Sequence, residues 1–213
     1  MKKIEMVDLK GQYEHIKDQV NQSVLNTIES AKFINGPQVK SFQAHLEQYL
    51  GVNHVIPCAN GTDALQIALM GLGLKPGDEV ITADFTFAAT VEVISLLGLT
   101  PVLVDVDPKT FNIDLAAIEK AIGPKTKAII PVHLFGQAAD MEEILALAEA
   151  NDLFVVEDNA QSIGADYTFS DGSKKKTGAL GHVGTTSFFP SKNLGAYGDG
   201  GAIFTNDDDL AHT

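Results

Sequence analysis

One lysine stands out in the sequence because no other cation lies near it. Lys192 is the only basic residue among residues 186–201, which read T-S-F-F-P-S-K-N-L-G-A-Y-G-D-G-G. Apolar and glycine-rich surroundings desolvate an amine and favour its neutral form, which is the nucleophile needed for Schiff-base formation. A purely structural role, in which Lys192 caps a turn beside a strand, fits this stretch equally well.

A possible anion site lies much earlier in the chain. Residues 52–59 form a short β-branched run, and Asn60, Gly61, Thr62 and Asp63 then lead into an alanine- and leucine-rich helix. A glycine turn between a strand and a helix N-terminus presents free N–H groups and the positive end of the helix dipole, so a phosphate would fit at Gly61 and Thr62. Ordinary capping by Thr62 or Asp63 is the alternative, and this pattern alone favours it.

Two adjacent acids, Glu157 and Asp158, follow an apolar run and could serve a bound ligand. Successive side chains of a strand point to opposite faces, and a buried carboxylate needs a cation or hydrogen-bond donors. If the ligand is a pyridinium ring, Asp158 would keep its nitrogen protonated and Gln161 could reach a ring hydroxyl. Together with His133, the two acids would alternatively suit a magnesium ion.

These residues need a scaffold, and the hydrophobic pattern predicts a regular one. Apolar runs of strand length alternate with helical patterns from residue 77 onward, with strands at 79–82, 101–106, 127–132 and 153–156 and helices at 85–97, 114–122 and 140–151. Strands that are apolar on both faces are typical of an α/β fold, in which helices cover both faces of a mostly parallel sheet. Ligands bind at the carboxyl ends of such strands. The expected site segments are residues 59–62, 84–87, 133–137 and 157–161.

The two ends of the chain add further elements. The pattern predicts a partly exposed helix at residues 10–31, a second helix that ends at Gly51, and two strands, at 184–189 and 201–205, that flank the lysine segment. Residues 167–181, with three consecutive lysines, are predicted to be a solvated loop. A helix that starts near Asn206 is cut off at Thr213, so we expect these residues to be the first part of a longer protein.

Composition excludes several classes of function. The 213 residues include 15 Lys and Arg against 28 Asp and Glu, a net charge of −13, which argues against nucleic acid and anionic membranes as partners. We find no signal peptide, no membrane-spanning apolar run and no zinc-type spacing of Cys or His. The lone Cys58 fits a reducing cytoplasm, and we expect it to be a small core residue rather than a nucleophile.

Four motifs together carry a family resemblance. N-G-T-D-A-L, P-V-H-L-F-G-Q, V-V-E-D-N-A-Q-S-I-G-A and S-F-F-P-S-K-N-L-G-A-Y-G-D-G-G-A-I-F-T-N resemble, in this order, the pyridoxal-phosphate sugar aminotransferases of the DegT/DnrJ/EryC1/StrS family. The resemblance implies an aspartate-aminotransferase-like (fold type I) large domain over residues 1–213, without the smaller C-terminal domain of family members. It also implies a homodimer whose active sites are shared between subunits.

The resemblance assigns roles to individual residues. It implies that Lys192 forms a Schiff base with pyridoxal 5′-phosphate, that Asp158 pairs with the pyridinium nitrogen, and that Gln161 contacts the 3′ oxygen of the cofactor. His133 lies near this side of the sheet, either as a supporting residue behind the site or as a structural histidine. No metal ion is implied.

The same resemblance places the phosphate and the ring face of the cofactor. Gly61, Thr62 and Ser187 would hold the phosphate, and Phe87 would stack on the pyridine ring. Some relatives carry tryptophan or tyrosine at the position of Phe87. Phenylalanine keeps the stacking but cannot form the hydrogen bond that those side chains offer.

The implied activity is the transfer of an amino group from an amino acid, by family analogy L-glutamate, to a keto group of a nucleotide-linked sugar. The motif sequences most resemble those of enzymes that aminate C3 of UDP-linked 3-keto-N-acetylhexosamine uronates. These enzymes serve cell-surface polysaccharides such as the O-antigen of lipopolysaccharide. Sugar dehydratases of the family carry histidine where this chain has Lys192, so we expect transamination. Amination at C4 of a 4-keto-6-deoxy sugar and a non-catalytic cofactor domain remain alternatives. A dinucleotide-binding domain fits less well, because G-x-G-x-x-G is missing after the first strand.

Overall fold

The computed structural model describes residue 4 and residues 6–213, which form two compact units, one ending at His45 and one spanning Leu46–Thr213. In the first unit, helix α1 (Leu9–Ser30) begins where the side chain of Asp8 accepts a hydrogen bond from the N–H of Gly11, and it ends at Ala31, which has left-handed backbone angles. No residue of α1 is buried, which confirms the predicted surface helix. Helix α2 (Pro37–Leu50) follows and ends before Gly51 at φ 69°, as the sequence predicts.

The second unit contains a seven-stranded sheet. The strands of the unit are β1 (His54–Cys58), β2 (Glu79–Ala83), β3 (Thr100–Val104), β4 (Thr126–Ile130), β5 (Phe154–Asp158), β6 (Asp166–Thr168), β7 (Lys174–Lys176), β8 (Val183–Ser187) and β9 (Gly201–Thr205). The order across the main sheet is β1-β9-β8-β5-β4-β2-β3, and β6 pairs with β7 in a separate hairpin. Within the main sheet β9 is antiparallel to both of its neighbours, and the other pairings are parallel. The carboxyl ends of β1, β8, β5, β4, β2 and β3 therefore lie along one edge.

Helices cover both faces of this sheet. They are α3 (Gly61–Gly71), α4 (Ala88–Leu96), α5 (Leu115–Ala121), α6 (Met141–Ala150) and α7 (Asp208–His212). Strand β4 shows how the faces alternate, because Ala128 and Ile130 pack in the core with α3 and α4, whereas Ile129 packs in the core with α5 and α6. Burial on both faces explains the continuous apolar runs in the sequence and confirms the predicted α/β class.

Most predicted elements are present, but two predictions are wrong in detail. The helix expected from residue 85 begins only at Ala88, because the N–H of Asp84 still bonds to the carbonyl of Val104 and Phe87 stays extended. The lysine run expected to be a loop forms β7. Its last member, Lys176, lies 2.8 Å from the carboxylate of Asp166, and this contact raises the lysine's pKa.

The remaining boundaries follow the sequence closely. Asp114 caps α5 by accepting a hydrogen bond from the N–H of Ala117, and α6 begins directly after Asp140 with an acidic first turn. Strand β5 continues two residues beyond the predicted end, so that Glu157 and Asp158 belong to the strand itself. In the part of the chain that the structure describes, no helix has the length and apolar character needed to cross a bilayer.

Candidate active site

The candidate site lies where the carboxyl ends of β1, β8 and β5 meet. Gly201 of β9 pairs with Cys58 on one side and with Ser187 on the other, so the ends of β1 and β8 lie at the same level of the sheet. Asp158 of β5 pairs with Thr185, two residues before Ser187. The sheet thus gathers residues that are distant in the sequence, and the N-terminus of α3 follows directly after β1.

A corner suited to an anion forms at the start of α3. The side chain of Asn60 accepts a 2.8 Å hydrogen bond from the N–H of Asp63, and the carbonyl of Asn60 accepts the N–H of Ala64. These bonds leave the N–H groups of Gly61 and Thr62 as the two at the helix start that α3 itself does not engage. The capping residue is therefore Asn60, and neither Thr62 nor Asp63 takes that role.

Close contact with β8 completes this corner. A Cβ atom at Gly61 would lie 2.6 Å from Cβ and 3.1 Å from Oγ of Ser187, so only glycine allows the helix start to approach the serine this closely. The start of α3, with its two N–H groups and the positive end of its dipole, and the Ser187 hydroxyl therefore lie close together. Their role as phosphate ligands stays a prediction, and the arrangement fits it.

Asp158 is buried at the end of β5 and is held on both carboxylate oxygens. Oδ2 accepts a 2.8 Å hydrogen bond from the hydroxyl of Thr90, and Oδ1 accepts one of 3.2 Å from the N–H of Ala160. Thr90 also contacts the hydroxyl of Thr86 at 3.0 Å. Such donors stabilise a buried charged carboxylate. Each oxygen has a further lone pair, with which it could accept a hydrogen bond from a protonated ring nitrogen.

The orientation of the Gln161 side chain is fixed by the backbone of Phe135. Its Oε1 atom accepts a 2.8 Å hydrogen bond from the backbone N–H of Phe135. Because the amide oxygen is engaged, the NH2 group is left to act as a donor. This polarity suits a ligand that presents an acceptor oxygen, which is the contact the sequence predicts for this residue.

Lys192 lies over the aromatic ring of Phe87. Its Nζ atom is 5.9 Å from the ring centroid, at the outer limit for a cation–π contact, and the lysine is partly buried. Phe87 is exposed and immediately precedes α4, and Thr90 in the first turn of that helix contacts Asp158. The start of α4 therefore links the amine to the buried acid, and the ring of Phe87 is available for stacking.

Glu157 and His133 form a buried pair behind this edge. The carboxylate of Glu157 accepts hydrogen bonds from the His133 ring and from three backbone N–H groups, those of Gly178, Leu180 and Gly181, at 2.6–2.8 Å. Nδ1 of His133 accepts the N–H of Ala139, so Nε2 carries the proton and the ring is neutral. His133 is a structural histidine, and these protein donors occupy the oxygens that a magnesium ion would need.

Two other residues near the site bear on the sequence predictions. Burial raises the pKa of the Cys58 thiol to about 11, and the side chain packs beside the core, in line with the expected core residue. Thr90 was missed by the sequence reasoning, although its place three residues after Phe87 puts both near one helix start. No cluster of three or more His, Cys, Asp or Glu side chains suited to a metal occurs among the described residues.

Comparisons with known proteins show which family and which individual proteins this chain is similar to. The model of the DegT/DnrJ/EryC1/StrS aminotransferase family matches residues 14–213. UDP-2-acetamido-2-deoxy-3-oxo-D-glucuronate aminotransferase of Pseudomonas aeruginosa is 51% identical over 98% of this chain and 56% of its own length. UDP-N-acetyl-3-dehydro-alpha-D-glucosamine 3-aminotransferase of Acidithiobacillus ferrooxidans is 47% identical over 97% of this chain and 55% of its own length.

A solved structure extends the comparison to the fold. The crystal structure of NtdA from Bacillus subtilis, which holds the cofactor PMP, is 37% identical and aligns with a TM-score of 0.88 over 99% of this chain and 47% of that chain. This likeness confirms the predicted aminotransferase-type α/β fold. The chain spans about half the length of the relatives that it matches.

Proposed function

The chain belongs to the DegT/DnrJ/EryC1/StrS aminotransferase family, and from this premise we propose that the protein is a pyridoxal-phosphate-dependent aminotransferase of nucleotide sugars. The observation that carries the proposal is that a partly buried amine, a buried acid and a corner suited to an anion lie at one edge of the sheet. The amino donor is L-glutamate, and the acceptor is C3 of a UDP-linked 3-keto-N-acetylhexosamine uronate. Its product serves a cell-surface polysaccharide such as a lipopolysaccharide O-antigen.

The residues at this edge fit pyridoxal 5′-phosphate. The corner at Gly61, which a Cβ atom would fill, provides the N–H groups and the Ser187 hydroxyl that a phosphate needs. The exposed face of Phe87 provides a stacking surface for a flat ring, and buried Asp158 provides an acceptor for a protonated ring nitrogen. When bound, this cofactor supplies a carbonyl carbon for the amine and an electron sink for the reacting bond.

Each residue then has a defined task. Lys192 supplies the primary amine that holds the cofactor, and its Nζ takes up and returns the proton of the reacting carbon. Asp158, held by Thr90, keeps the ring nitrogen protonated, because its own charge is stabilised by two protein donors. Gln161 donates from its NH2 group to the 3′ oxygen, since Phe135 already engages its oxygen.

We also propose a homodimer with shared active sites, located in the cytoplasm. The diphosphate and the uronate carboxylate of the substrate need cations, yet Lys192 is the one Lys or Arg within the site segments 59–62, 84–87, 133–137, 157–161 and 186–201. A partner subunit, together with the remainder of the full-length protein, would supply the missing cations. Exposed apolar side chains on α1, at Ile16, Val24, Leu25 and Ile28, offer a surface for such a partner.

The test is an activity assay on the full-length protein. The protein is incubated with pyridoxal phosphate, L-glutamate and a panel of nucleotide keto sugars, and release of 2-oxoglutarate is followed. We expect activity with the UDP-3-keto uronate, loss of activity and of the visible cofactor absorption band in Lys192→Ala, and no loss in the exposed control Lys175→Ala. Activity only with 4-keto-6-deoxy sugars would overturn the C3 assignment. Absence of the visible absorption band in the wild-type protein would overturn the assignment of pyridoxal phosphate as the cofactor.

A further inference from the structure

The turn that engages Gln161 is strained. Phe135, whose N–H donates to Gln161, has φ 56°, and the next residue, Gly136, has φ 88°. A left-handed backbone is unfavourable for a phenylalanine and persists only where surrounding contacts impose it. The Phe135 side chain is 71% exposed, so its own packing does not impose this geometry.

Asn112, between β3 and α5, contacts the backbone on both sides of this turn. The side chain of Asn112 is buried, and its Nδ2 atom donates to the carbonyls of Gln137 at 3.3 Å and Ala138 at 2.8 Å. Its Oδ1 atom accepts the N–H of Leu134 at 3.4 Å. The side-chain amide of Asn112 thus forms hydrogen bonds with the backbone on both sides of the strained turn.

Asn112 is itself rigidly placed. Its carbonyl accepts the N–H of Asp107 at 2.9 Å, and the adjacent residue Ile113 forms an antiparallel bridge with Val106. The segment that Asn112 contacts, residues 134–138, is also fixed at its C-terminal end, because Nδ1 of His133 accepts a hydrogen bond from the N–H of Ala139. The N–H of Phe135 can therefore be aimed at Gln161 without any contact from the Phe135 side chain.

We propose that Asn112 is a positioning residue for Gln161, an inference that rests on the proposed function, in which Gln161 donates to the cofactor. Asn112 fixes the turn, the turn fixes the Phe135 N–H, and this N–H holds the amide oxygen of Gln161. Without the hydrogen bonds of Asn112, the Gln161 amide is free to rotate and to present its oxygen to the 3′ oxygen of the cofactor. Two acceptors would then face each other, and the contact would be lost.

Asn112→Asp tests this inference on the full-length protein. The aspartate keeps an oxygen for the Leu134 N–H but loses both donors and sets an oxygen against the two carbonyls. We expect faster hydrogen exchange at the Phe135 amide in the cofactor-free protein, and pyridoxal-phosphate affinity about five-fold weaker, the effect of one neutral hydrogen bond. The matched control is Thr82→Val, which removes an equally buried donor, to the Ile130 carbonyl, and should leave both measurements unchanged.

A double-mutant cycle separates positioning from general destabilisation. If Asn112 acts through Gln161, Asn112→Asp lowers cofactor affinity in the wild-type background but has no further effect in Gln161→Ala. Equal losses in both backgrounds, or unchanged exchange at the Phe135 amide, would overturn the inference while leaving the proposed function intact. Unchanged affinity in Gln161→Ala would instead overturn the role of Gln161 in the proposed function, and the inference with it.

Discussion

The hydroxyl of Thr90 donates a 2.8 Å hydrogen bond to Oδ2 of Asp158 across 68 residues of sequence. This bond stabilises the charged carboxylate that the proposed cofactor ring requires. We therefore expect Thr90→Val, which has nearly the same shape, to weaken pyridoxal-phosphate affinity about tenfold, as for the loss of a hydrogen bond to a charged group. Thr90→Ser should restore most of it. Absorbance titration of the apo protein measures both variants.

The control for this prediction separates charge stabilisation from packing. Thr82 is equally buried and donates to the carbonyl of Ile130, so Thr82→Val removes a comparable bond that does not involve Asp158. It should lower thermal stability to a similar extent as Thr90→Val and leave cofactor affinity unchanged. Equal cofactor losses in the two valine variants, or failure of Thr90→Ser to recover, would argue against a special role for Thr90.

The contact between Gly61 and Ser187 leads to a second prediction. In Gly61→Ala the new Cβ would lie 2.6 Å from the Ser187 Cβ, which is fixed to β8 and can move only with the strand. Overpacking of this kind costs about 1–3 kcal/mol, and it would push apart the donors at the anion corner. We expect lower stability in urea and a more than tenfold loss of pyridoxal-phosphate affinity.

Gly71→Ala, at the other end of the same helix, is the matched control. Its Cβ would meet only the tip of Leu210 at 3.2 Å, a side chain that can adjust. Alanine is the better helix former, so stability should be unchanged or higher by up to about 1 kcal/mol. A Gly61→Ala variant that binds the cofactor like Gly71→Ala would show that the corner does not hold the phosphate.

The sequence predicts the scaffold well because burial on both faces of the sheet requires continuous apolar runs, which are visible in the local sequence. The apolar runs around Ile81, Ile129 and Val155 are strands of the parallel sheet, and the turn into α5 carries a capping residue, Asp114. The strand β7 is an exception, since lysines have low strand propensity. It is stabilised by its pairing with β6, which only the folded chain brings alongside.

The candidate site is predictable only in part, for a related physical reason. Lys192 and Asp158 stand out from their neighbours in residue type, so the sequence itself points to them. Thr90 and Asn112 carry no such mark, because they act through contacts with residues 68 and 22–26 positions away. A hydroxyl or an amide in a loop or a helix acquires its role only from the partner that folding brings to it.

The buried carboxylate of Glu157 leads to a prediction about stability alone. In Glu157→Gln one oxygen becomes an NH2 group that faces two N–H donors instead of accepting from them, either those of Leu180 and Gly181 or those of His133 and Gly178. Each buried donor that is left without an acceptor costs about 1–3 kcal/mol, so the two together cost about 2–6 kcal/mol. Urea denaturation should show this loss with an unchanged m value, whereas the exposed control Glu149→Gln stays within about 0.5 kcal/mol.

Adding Mg²⁺ or EDTA extends the same experiment. Since protein groups already occupy the oxygens of Glu157, neither addition should change the urea midpoint of the wild-type protein beyond the ionic-strength effect seen with NaCl. A midpoint that rises specifically with Mg²⁺ and falls back in Glu157→Gln would restore the magnesium hypothesis for the two adjacent acids.

The thiol of Cys58 gives a prediction that depends on pH. Burial raises its pKa to about 11, so at pH 8 the reactive thiolate is about 100-fold scarcer than for an ordinary cysteine. The greater nucleophilicity of a high-pKa thiolate recovers part of this, about tenfold at most. Alkylation by iodoacetamide at pH 8 should therefore be at least about tenfold slower in the folded protein than in guanidinium. The rate should also keep rising up to about pH 10, and a plateau near pH 8 to 9 would contradict the buried, protonated thiol.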